Sequence, residues 1–185
     1  MVHETVIKLD AVPETLYSLH QQVWSMLSRS SEQERDFLYA LDRNCGELYV
    51  RATSAREEFG PWRELAPLAQ GRRYRAVGTL AIDATRSRVR GQEALGWRHP
   101  QLLERRVRAM FERFLQVDSL AIALGSAEPL GKNRRQAIYF TPLRVRAEGA
   151  VTDAAKANAA LEHGIGRAKA FGFGAVHFIP LERLE

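Results

Sequence analysis

The sequence predicts an α+β protein made of two tandem βαββαβ units, the first of them trimmed. Short apolar runs with strand alternation recur between stretches of helical spacing, and the pattern restarts after Gly71. No low-complexity segment or long linker interrupts the chain. One unit is therefore expected over residues 1–70 and a second over residues 71–185.

In the first half, His3 to Leu9 alternates as a strand. Pro13 opens a helix to about Ser28, with Leu16, Leu19, Val23, Met26 and Leu27 at helical spacing. Asp36 to Asp42 and Glu47 to Thr53 read as strands joined by the turn Arg43-Asn44-Cys45-Gly46. A short helical piece is expected from Pro61 to Ala69, and the closing strand of this half has no clear signal. In the second half, Tyr74 to Ala84 reads as a strand. Pro100 to Leu115 reads as a helix with the core stripe Leu103, Val107, Met110 and Phe114. Leu120 to Leu124 and Ala137 to Arg146 are expected strands. Asp153 to His163 is an expected helix capped by Thr152 or Asp153, and Ala175 to Ile179 closes the chain as a strand. This order is the ferredoxin-like, RRM-like unit, complete in the second half and shortened in the first.

Hydrophobic residues make up 45% of the 185 residues, enough to bury one sizeable core or two small ones. The start, Met-Val-His-Glu-Thr-Val, has no basic segment leading into an apolar run. No apolar stretch approaches the roughly 20 residues that span a bilayer. A soluble, cytoplasmic protein without membrane association is expected. The single cysteine, Cys45, has no internal disulfide partner and reads as a bystander in a turn.

The net charge of +5 is unevenly placed. Residues 1–70 carry 7 basic and 11 acidic side chains, whereas residues 71–146 carry 16 basic and 6 acidic ones. The excess is almost entirely arginine, whose planar fork suits phosphates and stacks on bases. A basic middle on a near-neutral frame points to a polyanionic partner.

The segment His163-Gly-Ile-Gly-Arg-Ala-Lys-Ala-Phe-Gly-Phe-Gly-Ala175 gathers Gly164, Gly166, Gly172 and Gly174 around Arg167 and Lys169. It is no dinucleotide fingerprint, because here a helix ends at the first glycine and a strand follows the last. Such a loop suits close approach to a nucleic-acid backbone, with the two cations supplying charge. The histidines at 3, 20, 99, 163 and 177 form no ligand pair at helical spacing, so neither a metal site nor a cofactor is expected. Tyr17, His20 and Trp24 share one ridge of the first helix, at the edge of its apolar face. On spacing alone, His20 reads as a boundary histidine touching both core and solvent.

Three N-terminal segments, Leu16-Tyr-Ser-Leu-His-Gln-Gln-Val-Trp24, Arg35-Asp-Phe-Leu-Tyr39 and Glu47-Leu-Tyr-Val-Arg51, resemble the CasE family of CRISPR RNA-processing endoribonucleases. The glycine-rich loop before the final apolar strand is similar to that family's loop, as is Ile138 to Thr152. The likeness covers about the first 55 and the last 50 residues. The first unit is shortened between Thr53 and Gly71, and Ala81-Ile-Asp-Ala84 replaces the family's usual Arg-Ala-Asn-Pro. The resemblance implies two ferredoxin-like units and recognition of a CRISPR repeat hairpin. It also implies metal-independent cleavage at the hairpin's 3′ base and retention of the product within a Cascade-type complex with other subunits. The family's catalytic histidine falls on His20, and an assisting tyrosine of some members on Tyr17.

The chemistry follows from RNA itself, whose 2′-hydroxyl is a built-in nucleophile. Cutting needs in-line geometry, proton transfer and a partner for charge on the phosphorane. An imidazole can accept the 2′ proton or supply one to the leaving 5′ oxygen. Tyr17 can orient the phosphate or share proton transfer, and Arg167 and Lys169 are candidates for its neutralisation. The products would carry a 5′-hydroxyl and a 2′,3′-cyclic phosphate or 3′-phosphate. Hairpin contacts are expected from Arg86, Arg88 and Arg90 on an extended segment. Arg98, Arg105 and Arg108 on the next helix and Lys132, Arg134 and Arg135 in a loop would add to them, reading phosphates and shape. The competing readings are a non-catalytic RNA-binding subunit and a purely structural subunit in which His20 only packs.

Overall fold

The computed structural model describes residues 1–28, 36–83, 99–130 and 138–182. The N-terminal sheet contains β1 (Val2–Lys8), β2 (Phe37–Asp42), β3 (Glu47–Ala52) and β4 (Arg63–Leu65), with α1 (Leu16–Leu27) between β1 and β2. Its strands lie in the order β2-β3-β1-β4, every neighbour antiparallel. The C-terminal sheet contains β5 (Arg73–Asp83), β6 (Leu115–Leu124), β8 (Ile138–Val151) and β9 (Val176–Pro180) in the order β6-β8-β5-β9. A short strand, β7 (Glu128–Leu130), pairs with β8. The helices α2 (Pro100–Phe111) and α3 (Ala154–His163) complete this unit. Both sheets thus have the ferredoxin-like order, and the second carries both of its helices.

Local chemistry sets the helix ends. Thr15 Oγ1 accepts the Ser18 amide at 3.1 Å and Ser18 Oγ accepts the Thr15 amide at 3.3 Å. This reciprocal cap starts α1 at Leu16 rather than at Pro13. Leu16, Leu19, Val23 and Leu27 form its buried face, and Met26 lies at the margin. At the other end, the buried Arg56 guanidinium donates to the Leu27 carbonyl and to both Asp36 oxygens, at 2.9 and 3.0 Å. It therefore ties the end of α1 to the start of β2. Pro100 opens α2 as expected, but the helix stops at Phe111. Leu115 already pairs with Val151, so Phe114 reaches the core from a turn. In α3 the capping residue is Asp153, whose side chain accepts the Lys156 amide.

The expected helical piece between Pro61 and Ala69 is instead β4, which pairs with β1. Pro61 and Pro67 bracket five residues, too few for a stable helix, while β1 offers a free edge. Arg63 lies opposite Glu4 and binds its Oε2 at 2.9 Å. A 3₁₀ turn at Glu57–Phe59 stands where a second helix of this unit would run. β6 and β8 are also longer than expected. The residues after β4 already pack on the second unit: Leu68 joins its core and exchanges hydrogen bonds with Asn158, at 2.8 and 3.0 Å.

The two sheets are joined through a buried arginine. Arg51 on β3 is 3% exposed, and donates to the carbonyls of Leu161 and Val176, each at 3.0 Å. It also donates to Glu4 Oε1 at 2.8 Å. His177 Nδ1 on β9 approaches the same carboxylate at 3.3 Å. Burial alone would raise the Glu4 carboxyl, but the His177 hydrogen bond and the Arg51 charge outweigh it and hold the value at about 2.

A carboxyl held below its ordinary value of 4.5 adds stability that is fully present above that value and lost as pH falls toward about 2. The Glu4 carboxylate is thus expected to contribute roughly 3 kcal/mol at neutral pH. Urea unfolding of the parent and Glu4→Gln should show their widest stability gap above about pH 5 and a shrinking gap toward pH 2. A gap independent of pH would remove the carboxylate from the account.

Candidate functional site

The ridge predicted on α1 faces the glycine-rich loop across the junction of the two units. His20 and Tyr17 are both half-buried on α1. The His20 ring lies 6.1 Å from that of Trp24 and 5.0 Å from that of Phe171 in the loop. Its Nδ1 sits 2.7 Å from the carbonyl oxygen of Ala170. A carbonyl only accepts, so Nδ1 donates, and the neutral ring keeps its Nε2 lone pair for another partner. The Tyr17 hydroxyl is 3.2 Å from Gln21 Nε2, one turn further along the same helix.

The loop is folded tightly enough to need its glycines. Gly164, Gly166, Gly172 and Gly174 all have positive φ. A Cβ on Gly174 would stand 2.4 Å from the Ile165 carbonyl oxygen, and one on Gly172 2.9 Å from the Tyr39 ring. Three of the four glycines therefore pack against the protein itself: Gly164, whose Cβ would meet the Gly174 carbonyl at 2.7 Å, is the third. Gly166 is exposed, and a Cβ there would meet the tip of Met110 on α2 at 3.1 Å. Between Ala168 and Gly172, both left-handed, Lys169–Phe171 forms a 3₁₀ turn that presents Ala170 to His20. Arg167 is exposed and Lys169 half-buried.

The predicted arginines separate into distinct groups. Arg105 is exposed on α2, but Arg108 donates to the Val117 carbonyl at 3.1 Å and pairs with Glu104. Arg86, Arg88, Arg90, Arg98, Lys132, Arg134 and Arg135 lie outside the described residues. On the C-terminal sheet, Arg146 and Arg75 share Glu148 and hold its carboxyl below the usual range, while Arg73 pairs with Asp118 at 2.6 Å. Arg106 was not singled out from the sequence. It is exposed one turn before Met110, on the ridge beside the loop tip at Gly166.

Between the sheets runs a cleft of about 980 Å³, lined by Tyr49, Arg144, Arg146, His177 and the loop residues Phe171 to Phe173. His20 and Tyr17 lie outside its lining, although Leu16 and Leu19 of α1 and Phe171, whose ring meets His20, belong to it. Among the described residues no cluster of His, Cys, Asp and Glu is arranged to hold a metal ion. No helix among them is long and apolar enough to cross a membrane. Cys45 is half-buried in its turn, and burial pushes its thiol above the ordinary value, away from a reactive thiolate.

A sequence model of the family described as CRISPR associated protein matches residues 72–180, more than half of the chain. The chain belongs to that family. Solved structures extend the likeness over nearly the whole length. A chain of a CRISPR RNA-guided surveillance complex matches with a TM-score of 0.68 at 20% identity, covering 97% of this chain and 100% of that one. The CRISPR endoribonuclease Cse3 bound to 19 nt RNA matches at 0.66 and 18% identity, over 97% and 98% of the two chains. The CRISPR-associated protein Cas6e from Escherichia coli str. K-12 matches at 0.62 and 16% identity, over 98% and 100%. No curated protein sequence matches the chain. The CasE resemblance and the tandem ferredoxin-like fold read from the sequence are thereby borne out for this CRISPR-associated protein.

Loop geometry makes a direct forecast. Gly174→Ala, with φ of +82° and a carbonyl 2.4 Å from the new Cβ, is expected to lose about 2 kcal/mol or more of stability. Gly166→Ala, opposed only by a flexible methionine tip, should lose about 1 kcal/mol. Urea unfolding of the two variants measures the difference; equal losses would contradict this account of the loop.

Proposed function

We propose that this CRISPR-associated protein is a metal-independent endoribonuclease of the cytoplasm. It binds the hairpin of a CRISPR repeat transcript, cuts at the 3′ base and keeps the product as a subunit of a Cascade-type complex. The observation that carries the reading is the placement of His20. An imidazole on the first unit is gripped at Nδ1 by a loop of the second unit, inside a fold shared end to end with an RNA-bound endoribonuclease. A proton-transfer group benefits from a ring fixed at one nitrogen with the other free.

In this reading the two units divide near residue 70, and the hairpin lies across their junction on the side of α1 and the loop. His20 Nε2 takes the proton of the 2′-hydroxyl or supplies one to the leaving 5′ oxygen. Tyr17 shares the proton transfer or orients the phosphate. Arg167 and Lys169 neutralise phosphate charge, with Gly166 letting the strand come close. The other loop glycines, Gly164, Gly172 and Gly174, hold the loop in shape. Arg105, Arg106 and Arg108 extend the contact along the stem, with the basic residues 86, 88, 90, 132, 134 and 135 as further contacts. The products are a 5′-hydroxyl and a 2′,3′-cyclic phosphate or 3′-phosphate.

Single-turnover cleavage of the cognate hairpin should fall by roughly 10²-fold or more in His20→Ala, with affinity within a few-fold of the parent. A 2′-deoxy substitution at the scissile nucleotide should stop the parent enzyme. Parent-rate cleavage by folded His20→Ala would overturn the site assignment. Arg167→Ala should leave His20 chemistry intact, weaken hairpin binding and reduce the slope of log affinity against log salt by about 1. Filter binding over a salt series reads that slope; an unchanged slope would take Arg167 off the phosphate.

A further inference from the structure

We propose that Tyr39 is a positioning residue of the cleavage site, acting on His20 through the carbonyl of Ala170. The inference rests on the reading of His20 as the proton-transfer group. The Tyr39 hydroxyl donates to the Ala170 carbonyl oxygen at 2.7 Å, the same oxygen that lies 2.7 Å from His20 Nδ1. One oxygen thus accepts from a buried phenol and from the imidazole together.

The two donors differ in rigidity. Tyr39 is 1% exposed on β2, within the core formed with α1, and its ring stacks against Gly172 so closely that no side chain fits there. Its hydroxyl is therefore a fixed point of the N-terminal unit. His20 is only half-buried, at the edge of α1, with its ring between those of Trp24 and Phe171. Ala170 belongs to the other unit, in a turn of three residues whose own bonds run from Phe171 to Ala168 and from Gly172 to Lys169. Neither of those bonds restrains the Ala170 carbonyl. The phenol does, and the imidazole then finds an acceptor at one position only.

Three consequences follow for the chemistry. Nδ1 keeps its proton, so Nε2 is the atom offered to RNA in every turnover. The ring plane is set to the accuracy that proton transfer requires. The turn that carries Lys169 and Phe171 is placed by the same bond, so the phosphate partner and the proton-transfer group are registered together.

Tyr39→Phe keeps the ring and its packing and removes the hydroxyl alone. Imidazole nitrogen NMR at about pH 8, assigned with His20→Ala, reads the tautomer of His20 without RNA. The parent should show the Nδ1–H form, and Tyr39→Phe a mixture of both forms. Cleavage of prebound hairpin by Tyr39→Phe should slow about 10-fold or more, with affinity within a few-fold of the parent. A parent protein in the Nε2–H form overturns the proposal, even if the variant does not fold. So does a variant with the parent's spectrum, whether its cleavage is slow or normal, because a phenol that only fills the core leaves the tautomer alone. The spectrum needs no substrate, so failure of the cleavage reading would leave this readout intact.

Discussion

Everything distinctive about the site depends on a charged group buried where two units meet. Arg51 spans the junction, with Glu4 on its own sheet and the carbonyls of Leu161 and Val176 on the other side. Leu161 lies in the last turn of α3 and Val176 opens β9, so the arginine grips both ends of the glycine-rich loop that links them. Removing one partner from such a buried set is costly, because the other charge is left without compensation. The position of the loop, and with it the Ala170 carbonyl beside His20, is therefore tied to the docking of the two units. The contact between His20 and the Ala170 carbonyl therefore belongs to neither unit alone.

That arrangement explains the distribution of glycine in the loop. Nine residues separate Gly164 from Gly174, yet the Ile165 amide bonds the Gly174 carbonyl and the Gly174 amide bonds the Thr79 carbonyl on β5. A loop that leaves the end of α3, reaches His20 and returns to the sheet edge must fold back on itself at several left-handed positions. Ala168, the one non-glycine residue with positive φ among the described residues, sits just before the turn that presents Ala170. Backbone conformations of this kind concentrate at functional sites.

Much of the fold was legible in the sequence because strand alternation and helical spacing are local signals. The two hairpin strands before residue 53, α3 and the final strand fall within a few residues of their expected ends. Between Pro61 and Ala69 the local signal was misleading, because that segment's structure is set by the free edge of β1, a partner about sixty residues away. The site was legible in part. The ridge of Tyr17, His20 and Trp24 drew attention to α1, but the group that orients His20 is a main-chain oxygen 150 residues away. A backbone carbonyl leaves no mark in residue identity, and Tyr39 reads as an ordinary aromatic of a core strand. Arginine content was a guide to charge but not to which arginines pair within the fold. Arg75, Arg146 and Arg108 have partners within the fold, which only the pairing of strands and the packing of α2 reveal.

The proposed function requires RNA to be cut by its own 2′-hydroxyl with help from an imidazole and no metal. The most direct measurement is the end chemistry of the cognate repeat hairpin after incubation with the full chain in excess EDTA. Cutting is expected at a single site at the rate seen without chelator, with a 5′-hydroxyl on one fragment and a cyclic or 3′-phosphate on the other. Intact RNA in EDTA that is cut on adding magnesium, or fragments bearing a 5′-phosphate, would contradict it.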